Sequence, residues 1–193
     1  MPITEFLERN ARLYPNDVCL VEINPEIKED RRVTWKEYEL IEPSPKTSYR
    51  REITWSVFNE KANRFANLLL QRGIKKGDKV AILMMNGLEW LPIYFGVLKT
   101  GALAVPLNFR YSSDEIEYCV NLAEADVLVF SNPFIGRVEE IADRISKGRL
   151  LIYVGEGCPG FADDYNSLSA NCSSQSPAIP LFEDDDAAIY FSS

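Results

Sequence analysis

The chain has 193 residues, of which 46% are apolar and 26% charged, and it carries a net charge of −8. That is an ordinary globular mixture at a size that buries roughly 70% of the unfolded surface, so one large domain with a real core is expected. The acidic balance argues against nucleic acid or an anionic membrane surface as partner, because either calls for a basic patch.

Residues 3–14 set Ile3, Phe6, Leu7, Leu13 and Tyr14 at helical spacing, with Thr4 placed to cap and Pro15 to stop the helix. Cys19 to Ile23 is apolar and β-branched and reads as a strand. Residues 24–50 hold Pro25, Pro43 and Pro45, many charges and one short strand-like piece, Arg32 to Trp35, and read as a surface excursion. Arg31 to Trp35 echoes Arg51 to Trp55, but a single echo does not make a repeat architecture. From Thr54, a plausible N-cap, the residues Phe58, Ala62, Phe65, Ala66 and Leu69 form one apolar stripe that ends at Gly73.

Val80 to Met84 is a continuous apolar strand of the kind buried on both faces, broken by Asn86-Gly87. Residues 88–99 form a nearly all-apolar helix with Pro92 in its first turn, closed by Thr100-Gly101. Ala102 to Leu107 is the next strand. Ser112-x-x-Glu115 is a capping box that opens a helix through about Ala123. Asp126 to Phe130 is a strand, residues 134–147 a helix, Leu150 to Val154 a strand, and 155–186 a loop-rich stretch before a last strand, Ala187 to Phe191. Alternation of this kind implies an α/β fold: a layered parallel β-sheet with helices on both faces, plus a small β-rich excursion near residues 24–55. Ligands on such sheets bind at the carboxyl ends of strands. Two such ends stand out, at Asn86-Gly87 and at Ser192-Ser193.

Histidine is absent, which removes imidazole bases, Ser-His and Cys-His nucleophile pairs and most zinc sites. The four cysteines, Cys19, Cys119, Cys158 and Cys172, are widely spaced and read as structural residues, Cys19 and Cys119 as small core side chains. Apolar runs reach only about ten residues, short of a membrane span. The amphipathic, acidic N-terminus lacks a signal-peptide pattern, so a cytoplasmic location is expected. Asp184 to Asp186 could be mistaken for a metal cluster, but adjacent carboxylates in a turn usually face water, and no metal site is expected.

Several separated blocks resemble one family. They are Ile53-Thr54-Trp55, Lys61 to Ala66, Gly77 to Ile82, Val97 to Ala102, Val105 to Asn108, Arg110 with Ser112, Asp114, Glu115 and Ile116, and Ala125 to Val129. In order and spacing they are similar to the N-terminal part of the adenylate-forming enzymes, which include acyl-CoA synthetases, adenylation domains and luciferases. Val105 to Asn108 with Arg110 looks most like the fatty or medium-chain acyl-CoA synthetases. The family's phosphate loop follows a strand such as Ala187 to Phe191 and begins with a Ser or Thr pair. Ser192 and Ser193 match its first positions. The resemblance therefore implies that residues 1–193 are an N-terminal subdomain ending at the start of that loop. The 24–50 segment is longer than the family pattern.

For a full-length protein the resemblance implies ATP, Mg²⁺ and coenzyme A acting on a small carboxylic acid. Ser192 and Ser193 would be phosphate-loop hydroxyls; for Arg110 the resemblance implies a contact for coenzyme A, while an exposed arginine reads first as a plain surface ion pair. No catalytic residue is expected within the 193 residues, no ligand is expected on them alone, and their partner would be the rest of the same chain. Asn86-Gly87 reads as a strand-to-helix turn with a cap, and Trp90 and Tyr94 as core. Self-association of the isolated chain is expected from an uncovered apolar face. Two alternatives stand beside this reading: a stand-alone, non-catalytic α/β binding module and an aryl or amino-acid adenylation domain.

Overall fold

The computed structural model describes residues 1–23, 50–145 and 148–191. Residues 24–49 of the expected 24–50 excursion, with its strand-like piece Arg32 to Trp35, and Ser192-Ser193 lie outside the described residues, whereas Arg50 opens a strand. The chain opens with helix α1 (Ile3–Leu13), strand β1 (Val18–Ile23) and strand β2 (Arg50–Thr54). These two strands pair antiparallel, from Val18 opposite Thr54 to Ile23 opposite Arg50. Helix α2 (Trp55–Gln71) follows directly, and Thr54 Oγ1 accepts the Val57 amide at 3.4 Å as its cap. Its end is a Schellman motif: Gly73 sits at φ +88°, its amide bonds Leu70 O, and the Ile74 amide bonds Leu69 O.

Strand β3 (Lys79–Leu83), helix α3 (Trp90–Lys99), strand β4 (Leu103–Pro106), helix α4 (Ser113–Leu122) and strand β5 (Val127–Ser131) come next. A 3₁₀ turn (Asn132–Phe134) leads into helix α5 (Ile135–Ile145), then strand β6 (Leu150–Val154), the two-residue strand β7 (Asp163–Asp164) and helix α6 (Tyr165–Ala170). The five-stranded sheet has the order β4-β3-β5-β6-β7, with every pairing parallel. Counted along the chain this is 2-1-3-4-5, a doubly wound order whose direction switches between β3 and β5.

Alternation along each strand divides the core. Val80, Ile82, Ala104, Val127, Val129, Ile152 and Val154 face Phe65, Leu69, Ile93 and Val97 of α2 and α3. Ala81, Leu83, Val105, Leu128, Phe130 and Tyr153 face Ile116, Val120, Val138 and Ile141 of α4 and α5. A third, smaller cluster joins Leu7 of α1 to Phe58 and Ala62 of α2, with Leu20, Ile53 and Phe95 beside it. Cys119 and Cys172 are buried and Cys19 and Cys158 half-buried, all as free thiols. Burial pushes each thiol pKa up.

Four local expectations change. Thr4 does not cap α1; Pro2 is the N-cap residue, without a side-chain bond, and Thr4 is buried under the helix. Asn86 does not cap α3, whose first turn begins after Glu89. Cys19 lies beside the third cluster rather than inside a core. Ala187 to Phe191 forms no full strand: β4 is only four residues long, and one bridge, Ala104 to Ala188, is made along its outer edge.

Helices α2 and α3 meet at Gly96, where an added Cβ would stand 2.9 Å from Ala62 O and 2.9 Å from Phe65 Cδ1. Gly136 on α5 has nothing within 4 Å. Replacing Gly96 by Val should cost about 1–3 kcal/mol through overpacking. Gly136→Ala should be neutral or stabilising by up to ~1 kcal/mol. Urea midpoints of the two variants, measured side by side, check this; a Gly96→Val midpoint equal to wild type would mean that the seam opens freely.

Lys99 ends α3 with only 2% of its side chain exposed, and its Nζ donates to Glu8 Oε1 of α1 at 2.6 Å. Ser176 Oγ donates to the same oxygen. Burial makes the Lys99 ammonium easier to deprotonate than a free lysine's, more than Glu8 offsets. Burial also acts to raise the Glu8 carboxyl, but the Lys99 and Ser176 donors outweigh it and hold its pKa below the usual glutamate value. Lys99, at 2% exposed against 41% for Glu8, is the more desolvated partner. Glu8 adds stability that is present above the ordinary carboxylate range and lost as pH falls through its depressed value. Removing the acceptor strands a buried cation, so Glu8→Ala should cost about 3 kcal/mol, whereas Lys99→Met should stay within about 1 kcal/mol. Denaturation of both variants at neutral pH tests the asymmetry, and equal losses would refute it.

Candidate functional site

A parallel sheet brings all its carboxyl ends to one edge, and the turns after β3, β4 and β5 gather there. After β3, Met85 is 47% exposed and Asn86 and Gly87 are exposed. The turn is tied to β1: the Leu88 amide donates to Glu22 Oε2 at 3.3 Å, and the same oxygen takes Arg51 at 2.7 Å. Between β1 and this turn lies an open cleft of ≈ 320 Å³, lined by Leu20, Val21, Ile23, Leu88 and Trp90.

Trp90 and Tyr94 stack at 5.3 Å between centroids, half-buried at the rim rather than deep in the core. The Tyr94 hydroxyl lies 3.4 Å from that of Tyr190. Burial, then the Tyr190 hydroxyl, raises the Tyr94 pKa far above its usual value, so this phenol stays neutral.

The loop after β4 carries the predicted Arg110. Asn108 shapes it: its Oδ1 accepts the Arg110 amide at 3.0 Å and its carbonyl accepts the Tyr111 amide at 3.0 Å. Ser112 then opens α4 with the full capping box, its amide donating to Glu115 Oε2 at 2.7 Å. The Arg110 guanidinium is exposed and stands over the Phe109 ring at 5.4 Å. It meets no carboxylate among the described residues. Phe109 itself is 46% exposed.

The segment before Ser192 runs beside β4 in the same direction. The Ala104 amide donates to Ala187 O at 3.0 Å, and the Ile189 amide donates to Ala104 O at 2.9 Å. Ile189 and Phe191 pack on the α4–α5 side of the sheet and Ala188 on the other. Phe191 thus leaves at the carboxyl edge, beside the end of β4. Ser192 and Ser193 lie outside the described residues.

Of the acidic run, Asp185 accepts Lys76 at 2.5 Å and the Phe182 amide at 2.8 Å, and these bonds, Lys76 first, hold its pKa below the usual range. It closes a turn. Among the described residues no group of His, Cys, Asp and Glu is placed to hold a metal ion.

One residue at this edge went unread in the sequence. Arg137 of α5 donates from one Nη1 to Phe109 O at 2.8 Å and to Tyr111 O at 2.9 Å, with its guanidinium 5.6 Å from the Phe134 ring. An arginine on an amphipathic helix carries no signal of its own, and only the fold brings it to a loop 26 to 28 positions earlier.

Residues 43–193 match the family model for the AMP-binding enzyme. The chain is similar to the long-chain-fatty-acid–CoA ligase FadD13 of Mycobacterium tuberculosis, 30% identical over 150 residues, which covers 77% of this chain and 28% of that protein. It is similar to the crotonobetaine/carnitine–CoA ligase of Citrobacter koseri, 34% identical over 151 residues, covering 74% and 28%. The chain thus spans well under a third of the length of these relatives. Its fold is like that of the anthranilate CoA ligase AuaEII solved with anthranoyl-AMP, at a TM-score of 0.80 and 23% identity, over 100% of this chain and 33% of that one. It is also like that of the N-terminal domain of FACL13 from Mycobacterium tuberculosis, at a TM-score of 0.72 and 23% identity, covering 100% and 42%. With the family model matched from residue 43 to residue 193 on a doubly wound sheet of this architecture, the chain belongs to the AMP-binding enzyme family, the adenylate-forming superfamily.

Proposed function

We propose that these 193 residues serve as the front of an AMP-forming acyl-CoA ligase. In the proposed reaction a carboxylate oxygen attacks the α-phosphorus of ATP and pyrophosphate leaves. The thiol sulfur of coenzyme A then attacks the acyl carbonyl of the adenylate and AMP leaves. Ser192 and Ser193 begin the loop that grips the ATP phosphates, Arg110 meets a phosphate of coenzyme A, and the other ATP-binding parts lie outside the 193 residues. A fatty acid is the substrate class to test first, since curated relatives include fatty-acid ligases. Both nucleotides suit a cytoplasmic enzyme.

One observation carries the reading. The segment Ala187 to Phe191 runs parallel beside β4, toward the end of the sheet whose loop after β4 carries Arg110, a guanidinium with no carboxylate partner among the described residues. Both steps rest on orientation and charge stabilisation, which an edge of loops and cations can supply without a general base.

In the full-length protein, straight-chain fatty acids should drive ATP–pyrophosphate exchange, with AMP release dependent on coenzyme A; exchange with aryl or amino acids alone would move the protein to another branch. The 193-residue chain by itself should show neither activity. With Tyr118 and Leu122 of α4 and Phe6 of α1 exposed, it should also self-associate, and light scattering giving a clean monomer at high concentration would count against that. Arg110→Ala should raise the KM for coenzyme A about tenfold, the loss of ~1.4 kcal/mol from one charged hydrogen bond. Its folding midpoint should stay within about 0.5 kcal/mol of wild type, as for an exposed side chain.

A further inference from the structure

We propose that Arg137 is a positioning residue that holds the loop after β4 in its binding geometry. The inference rests on the ligase reading above and assigns Arg137 no contact with substrate. The two arginines of α5 play different parts. Arg144, two turns along the helix, pairs with Glu117 at 2.9 Å and Asp114 at 3.4 Å, joining α5 to α4. Arg137 meets no carboxylate among the described residues. It is half-buried, and its Nη1 donates to the carbonyls of Phe109 and Tyr111.

Those carbonyls belong to the residues on either side of Arg110. A donor that holds both leaves the Cα of Arg110 little room to move, while its side chain remains exposed and carries the Phe109 ring beneath it. Asn108 tightens the turn from the other end through its bonds to the Arg110 and Tyr111 amides. A guanidinium suits such a clamp, because one planar nitrogen offers two hydrogens in fixed directions and the group stays charged at any pH the protein meets. The Phe134 ring beneath it, at the end of the 3₁₀ turn before α5, keeps the group in place. A loop ordered before the ligand arrives spares the ligand that ordering cost.

The test uses two variants and two readouts. Arg137→Met keeps the stem and removes every donor, while Arg137→Lys keeps one donor group. In the full-length ligase, Arg137→Met should raise the KM for coenzyme A about fivefold with a much smaller change in kcat, and Arg137→Lys should recover part of it. In the 193-residue chain, hydrogen exchange should speed up at the amides of residues 109–112 in Arg137→Met, while the amides of β3 and β5 keep their protection. Unchanged exchange at 109–112 overturns the clamp. Faster exchange with an unchanged KM overturns its link to coenzyme A. A full-length protein that ligates no acid at all overturns the ligase reading and what rests on it, and the exchange comparison still decides whether Arg137 holds the loop. If Arg137→Met does not fold, the same two comparisons are made with Arg137→Lys, which keeps the charge and should shift both readouts in the same direction by less.

Discussion

Residues Val80 to Leu83 of β3 are all at most 1% exposed, so this strand needs apolar cover on two sides at once. Its neighbours β4 and β5 supply the hydrogen-bond ladders, and helices must supply the cover. A strand paired in parallel on both edges can only be reached by crossovers, and each crossover is a helix that lands on one face. Placing α2 and α3 on one side and α4 and α5 on the other satisfies both faces. The same connections send every strand in one direction. The collection of turns at one edge, and hence the candidate site, is a consequence of burying β3.

The outer layers are held by different means. Helix α2 packs its apolar side on the sheet and on α3, closely enough at Gly96 to exclude a methyl group. Its other side is polar and catches backbone. Asn63 Nδ2 donates to Ser174 O at 2.8 Å, Asn67 Nδ2 to Ser173 O and Gln175 O, and Arg64 to Ala170 O and Cys172 O. The end of α6 and the non-periodic stretch that follows it are thereby fixed along α2. Arg137 uses the same chemistry on the loop after β4. In both places a side chain on a rigid helix satisfies carbonyls that no ladder reaches.

This division explains what could be read from the sequence. Elements whose register is set by burial were legible: the α2 stripe from Phe58 to Leu69, the all-apolar β3, the capping box at Ser112 and the strand Leu150 to Val154 appear where their patterns put them. Features set by tertiary contact were not legible. Thr4 has the chemistry of a cap but faces the core, because α1 needs that side against its neighbours. Ala187 to Phe191 has the composition of a strand, yet four-residue β4 offers too little edge to pair it fully. Lys99 sat inside a run read as nearly all apolar. Its burial depends on Glu8, which comes from a helix 91 positions away in sequence.

The edge that results is poor in titratable chemistry and rich in fixed geometry. It presents exposed aromatic and apolar side chains, Met85, Phe109 and Tyr190, and two guanidiniums free of carboxylates among the described residues, Arg110 and Arg137. Tyr94 is held neutral by burial, and the chain has no histidine. The carboxylate there among the described residues, Glu22, is tied to Arg51 and to the Leu88 amide. On the ligase reading proposed above, the edge would orient anionic groups while a bond to phosphorus or to an acyl carbon is exchanged, reactions limited by charge and alignment rather than by a base. On that same reading the requirement falls to Arg110, which stays charged, and to Arg137, which bonds the carbonyls on either side of it. Here positioning and electrostatics are one structural feature, built where the sheet's crossovers leave room for it.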